Sequence, residues 1–161
     1  MEYKRLGASG LEVSPVCLGT MMFGDRTDAA EAQRIVDAAF ASGINFVDTA
    51  DVYGKSEEIV GAAIKSQRKR WILATKVGNV LAEKPHDGGL SRRWVLQACA
   101  DSLVRLGTEY IDIYYLHRDD PDTPLAETVG AIGDLIRSGK IRYFGVSNYR
   151  GWRIAEVVAE C

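Results

Sequence analysis

No stretch of this 161-residue chain approaches the ~18 consecutive apolar residues that a membrane-spanning helix requires. The first residues, Met1-Glu2-Tyr3-Lys4-Arg5-Leu6-Gly7, lack the apolar run of a secretory leader. A cytoplasmic protein without a membrane partner is therefore expected. A surplus of one charge is missing too: 20 basic residues stand against 22 acidic ones, and the basic ones are scattered. That balance argues against a nucleic-acid partner, which needs a basic stripe or patch. Only three cysteines occur, Cys17, Cys99 and Cys161, odd in number and without metal-ligand spacing. They read as buried thiols in a reducing compartment, and no metal site is expected.

What is present is the composition of an ordinary globular domain, 47% hydrophobic and 26% charged, long enough to bury a core over residues 1–161. Short β-branched runs alternate with amphipathic segments that start at helix caps. Residues 1–15 read as a hairpin cap centred on Ser9-Gly10, and residues 16–161 as about five βα units. The strands are expected at Val16–Thr20, Ile44–Asp48, Trp71–Lys76, Ile111–Leu116 and Ile141–Ser147. Asp28 with Glu31 resembles a capping box, and Gly43 supplies a left-handed stop. Ser56-Glu57-Glu58 opens a second helix, and a third runs from Ser91 to about Leu106. Thr123-Pro124 offers a capping hydroxyl and a Pro at the first helical position, and Gly139 ends that fourth helix. A fifth helix begins from Asn148 onward.

Consecutive βα units imply a parallel sheet with right-handed crossovers, either doubly wound or closed into a (β/α)8 barrel. Asp48, Lys76, His117 and Ser147-Asn148 all fall at or just after the C-terminal ends of strands, the rim where α/β barrels build active sites. A doubly wound dinucleotide fold calls for G-x-G-x-x-G after the first strand, and Gly19-Thr20-Met21-Met22-Phe23-Gly24 does not fit it. The barrel is favoured.

Five stretches carry a resemblance. They are Leu18-Gly19-Thr20-Met21-Met22-Phe23-Gly24, Asn45-Phe46-Val47-Asp48-Thr49-Ala50-Asp51-Val52-Tyr53-Gly54, Ala74-Thr75-Lys76, Tyr115-Leu116-His117-Arg118 and Gly145-Val146-Ser147-Asn148. In this order they resemble the motifs of the aldo-keto reductase family, over essentially the whole chain. The resemblance implies a TIM barrel and an NADPH-dependent reduction of aldehydes or ketones. It implies a catalytic tetrad of Asp48, Tyr53, Lys76 and His117, with Tyr53 giving a proton to the carbonyl oxygen of a small-molecule substrate. It also implies cofactor contacts at Gly19, Thr20, Met21 and Asp48 near the nicotinamide ribose, and at Ser147 and Asn148 for the carboxamide. Relatives of the family include potassium-channel β subunits, so a cofactor-sensing regulatory subunit is the alternative function, and an inactive truncated fragment a third.

The residue types make physical sense of the tetrad. A free phenol holds its proton near neutrality and is a sluggish acid. A nearby ammonium favours the phenolate and so eases release of the proton, while a carboxylate keeps a buried lysine charged and oriented. A histidine donates a hydrogen bond to a carbonyl oxygen in an oxyanion-type role. Taken singly, Tyr53, His117 and the Asp48/Lys76 pair read as packing or structural groups; the joint pattern points the other way.

Other features keep ordinary readings. Tyr114, Tyr115, Trp71, Trp94 and Trp152 read as packing residues, Arg68-Lys69-Arg70 as charge at a helix end, and the Gly78–Gly89 loop with Lys84, His86 and Asp87 as solvated surface. The chain stops at Ala159-Glu160-Cys161, inside an amphipathic pattern, with five of the eight strands a barrel needs. A portion of a longer protein is expected, whose missing half, or a second copy joined through open sheet edges, is the partner of this chain.

Overall fold

The computed structural model describes residues 1–81 and 87–161, so Lys84 and His86 of the expected surface loop lie outside the described residues. The first 15 residues form the hairpin: β1 (Lys4–Arg5) pairs antiparallel with β2 (Glu12–Val13). It docks on the N-terminal end of the sheet through Asn45, whose side chain accepts from Ser14 N–H at 2.8 Å and donates to the Glu12 carbonyl at 2.9 Å. Tyr3 adds a hydrogen bond to the Gly43 carbonyl.

The rest alternates strand and helix: β3 (Leu18–Gly19), α1 (Ala29–Ala41), β4 (Phe46–Asp48), α2 (Ser56–Ile64), β5 (Ile72–Val77), α3 (Arg92–Leu106), β6 (Ile111–Leu116), α4 (Leu125–Arg137), β7 (Ile141–Val146) and α5 (Gly151–Glu160). The five strands β3 to β7 lie parallel in sequential order. A doubly wound sheet reverses its order partway; a sheet that keeps adding neighbours on one side is an arc of a barrel. Strand 3 and strand 7 form the two edges.

Local signals account for most boundaries. The Asp28 side chain accepts from Glu31 N–H at 2.8 Å and caps α1, while Glu31 turns to Arg34 instead of completing the box. Gly43, at φ +87, lets the chain turn out of that helix. Ser91 caps α3, and Gly107 closes it in the left-handed conformation. Thr123 departs from its expected role: its hydroxyl donates to Asp120 at 2.7 Å, so α4 starts without a side-chain cap, with Pro124 one position outside it. The fifth helix begins at Gly151, three residues later than expected, because Asn148 stands at φ +59 and breaks the path. The strands β3 and β4 are shorter than their apolar runs suggest, which leaves Val16 exposed.

The two faces of the sheet differ. Leu73, Val77, Tyr114 and Leu116 pack on Val60, Ile64, Val95, Cys99, Ala131 and Leu135 of the helices in one continuous core. Each fully buried aliphatic side chain contributes roughly 1.5–3 kcal/mol there. The alternate residues Ala74, Lys76, Ile113 and Tyr115 face the concave side, where Lys76 stands beside Tyr115 and Tyr115 beside Gly145 in register. Buried thiols are confined to Cys99; Cys17 and Cys161 are exposed, contrary to expectation, since Cys17 precedes the short β3 and Cys161 follows α5. Trp152 is likewise 58% exposed, because α5 buries only Val157 among its own residues. No helix among the described residues is long and apolar enough to cross a membrane.

Candidate active site

The site grows from the C-terminal ends of three neighbouring strands. Asp48 closes β4 in register with Ala74, and Lys76 lies two residues further along β5, so both side chains leave the same concave face. Lys76 is 93% buried, and its ammonium finds three acceptors: Asp48 Oδ2 at 2.5 Å, the Thr49 carbonyl at 2.7 Å and Tyr53 Oη at 3.5 Å. A charge taken out of water this far is tolerable only with a counterion and satisfied donors, and this lysine has both.

A tight turn brings Tyr53 back over that lysine. Tyr53 N–H donates to the Ala50 carbonyl, Ser56 N–H donates to the Tyr53 carbonyl, and Gly54 takes a positive φ of 55°. The lysine nitrogen ends 4.8 Å from the centre of the Tyr53 ring. His117 follows β6, fixed by its N–H to the Val77 carbonyl at 2.7 Å. Its ring meets the Tyr53 ring edge-on, with centroids 5.8 Å apart.

The environment also selects the state of His117. Burial, and then the Lys76 charge, push the imidazole below its ordinary range, against a weaker pull from Asp48. Asn79 Nδ2 lies 2.8 Å from His117 Nδ1. With that amide donating, Nδ1 is the acceptor, and the proton of the neutral ring sits on Nε2 as a donor.

Asp48, Tyr53, Lys76 and His117 thus converge. The six expected cofactor contacts are placed less uniformly. Gly19, Asp48 and Ser147 line one cavity of ≈410 Å³ with Lys76, Cys17 and Tyr115. Asn148 lines a second cavity of ≈450 Å³ with Asn79, His117, Arg118 and Asp119, and its amide donates to the His117 carbonyl. Met21 stands on the rim, sharing a groove with Tyr53. Thr20 is buried, its hydroxyl spent on the Asp48 carbonyl at 2.8 Å and in contact with Ser56 Oγ; its side chain braces β4 instead of facing the cavity.

Two site residues escaped the sequence reading. Tyr115, which reads as a packing residue, lines the cavity beside Lys76, a position that strand alternation opposite Tyr114 signals. Asn79 sits three residues past Lys76, in the rim loop of the same strand, and that placement was its only mark.

Comparison with known proteins points to the same fold. The model of the Aldo/keto reductase family matches residues 15–161. The chain is 41% identical over 174 residues to an uncharacterized oxidoreductase, YrpG, of Bacillus subtilis, covering 99% of this chain and 53% of that protein. It is 39% identical to a probable voltage-gated potassium channel subunit beta of Arabidopsis thaliana, over 97% of this chain and 49% of the relative. It is 41% identical to a versiconal hemiacetal acetate reductase of Aspergillus parasiticus, over 94% and 52%. The chain spans about half the length of the curated relatives it matches. A sequentially ordered parallel arc with its polar groups gathered at one rim, and a family match across nearly all of it, lead to one conclusion: the chain belongs to the aldo/keto reductase family.

Proposed function

We propose that the full-length protein is an oxidoreductase that reduces aldehydes or ketones to alcohols with NADPH, using Tyr53 as the general acid. One observation carries the reading: Lys76 touches Asp48 and Tyr53 at once, beside His117, at the edge of an open cavity. The cavity residues fit the nicotinamide end of such a cofactor, since Gly19 leaves open space where a side chain would stand, and Ser147 and Asn148 bring polar groups to its rim. NADPH, when bound, supplies the hydride that reduces the carbonyl carbon. Its choice over NADH comes from the family resemblance.

The chain's own residues handle the proton. His117 Nε2–H donates to the carbonyl oxygen and orients the substrate. The Tyr53 O–H bond breaks as its proton passes to that oxygen, and the ammonium of Lys76 stabilises the phenolate left behind. Asp48 keeps Lys76 charged and aimed. The reaction closes when the phenolate regains a proton from solvent.

The partner of this chain in that reading is the remainder of the longer protein, covering the β3 and β7 edges and the exposed Trp152, Ile154 and Val158 of α5. Full-length protein mixed with NADPH and a reactive aldehyde should oxidise the cofactor only when the aldehyde is present. Tight NADPH binding without carbonyl-dependent turnover would instead favour a cofactor-sensing subunit, the reading that the potassium-channel relative brings in.

A further inference from the structure

A second polar cluster lies behind the site, on the helix face of β5, and the chemistry described above does not use it. Glu57 of α2 is 1% exposed and fully engaged: Oε1 accepts from the Thr75 hydroxyl at 2.6 Å and Oε2 from Arg105 Nε at 2.6 Å. Arg105 also donates to Ser102 of its own helix. Asp51 is buried against this group, 8% exposed, and neither of its carboxyl oxygens has a hydrogen-bond partner among the described residues. The Tyr114 hydroxyl, completely buried in the same region, has none either.

Charge counting gives this cluster its character. The charged and titratable groups acting on Asp51 are Glu57 from α2, Arg105 from α3 and Lys76 from β5; Tyr114 of β6 feels Asp51 in turn, with Cys99 of α3 beside it. Lys76 is committed to Asp48 on the other face. Two carboxyls thus share one guanidinium, and the cluster is neutral only with a proton on Asp51. Burial first, and the Glu57 charge second, push the Asp51 carboxyl up to about 7.

Asp51 is also where the turn carrying Tyr53 meets β5. Its peptide N–H donates to the Lys76 carbonyl at 3.3 Å, while Lys76 Nζ donates to the Thr49 carbonyl and Thr49 N–H to the Ala74 carbonyl. We propose that Asp51 is a positioning residue: the peptide N–H groups of Thr49 and Asp51 hold residues 49–53 against β5 while its buried carboxyl, which has no hydrogen-bond partner among the described residues, stays uncharged, and a charge gained there loosens that turn and with it Tyr53. The consequence for turnover rests on the reading of Tyr53 as proton donor; the loosening itself does not. The stability sign follows from the raised value. The native state holds the proton more tightly than the unfolded chain, so stability falls as pH rises from 3.8 to about 7.

The test uses the full-length protein and its Asp51→Asn variant, which keeps a neutral hydrogen-bonding group. Hydrogen-exchange protection of the Asp51 and Tyr53 amides, relative to their intrinsic rates, is followed with NADPH-dependent aldehyde turnover from about pH 6 to about pH 8. The uncharged fraction of a group titrating at about 7 falls roughly tenfold over that range. Wild-type protection of both amides should fall by a similar factor, and kcat with it at unchanged KM, while the Asn variant keeps its low-pH values throughout. Constant wild-type protection overturns the proposal even if the variant does not fold. A fall of equal size in the Asn variant overturns it as well. Protection that shifts as expected with no turnover at any pH upholds the loop device and sinks the reductase reading.

Discussion

On the concave face of β5, Lys76 pairs with Asp48 beside Tyr53 and an open cavity; on the helix face, one residue earlier, Thr75 joins Arg105 in holding Glu57 under the core. Each is an acid–base pair beside the same strand, the front one joining β4 to β5 and the rear one joining α2 to α3, yet their settings differ. The front pair opens towards a space large enough for a ligand, with a phenol at one corner. The rear pair lies between α2 and α3, with Glu57 only 1% exposed and both of its oxygens engaged. An ion pair beside an open cavity is placed where reactants can arrive; one held between helices serves to fix those elements together.

The largest expected effect lies at the rear. Glu57→Ala leaves Arg105 without its carboxylate and Thr75 without its acceptor, and should lower unfolding stability by ~3–5 kcal/mol, measured by denaturant titration of the full-length protein. Below the melting temperature, turnover per folded molecule should fall by less than the ~10²-fold expected of the front residues. A large loss of turnover without a loss of stability would erase the distinction between the two faces.

At the front the response should invert. Lys76→Met keeps apolar bulk and deletes the charge, so steady-state turnover should fall at least ~10²-fold, with a smaller loss of stability than Glu57→Ala. The glycines offer the gentlest comparison. A Cβ on Gly61 of α2 would lie 2.2 Å from the Leu106 carbonyl oxygen, and backbone cannot step aside, so Gly61→Ala should cost ~1–3 kcal/mol. A Cβ on Gly145 would strike the Tyr115 ring at 2.6 Å, but that ring borders a cavity and can swing into it. Gly145→Ala should therefore cost under ~1 kcal/mol and register in KM instead. Equal melting shifts for the two variants would contradict this.

The pattern of residues carried much of this architecture. Alternation and caps located five strands and five helices, because apolar period and capping side chains are local signals. Strand-end placement of Asp48, Lys76 and His117 pointed to one rim because the βα unit fixes which end a loop leaves from. What stayed hidden depends on distant partners. Thr123 reads as a cap, but its hydroxyl goes to Asp120, and the Thr20 hydroxyl is held by the distant Asp48 carbonyl and Ser56. The Glu57–Arg105 pair joins residues 48 positions apart on two helices, and no periodicity encodes such a meeting. Asn79 lacked a motif of its own; only its approach to His117 gives it a role.

The division between a reactive front and a structural rear is tested most directly by following the hydride. Full-length protein would be given a reactive aldehyde and NADPH carrying deuterium at C4, and the alcohol product analysed by mass spectrometry. Wild-type protein should deliver the deuterium to the alcohol carbon, and Tyr53→Phe should form that alcohol at least ~10²-fold more slowly while binding NADPH as before. Deuterated alcohol formed by Tyr53→Phe within a few-fold of the wild-type rate would remove Tyr53 as the acid and contradict the mechanism at its centre.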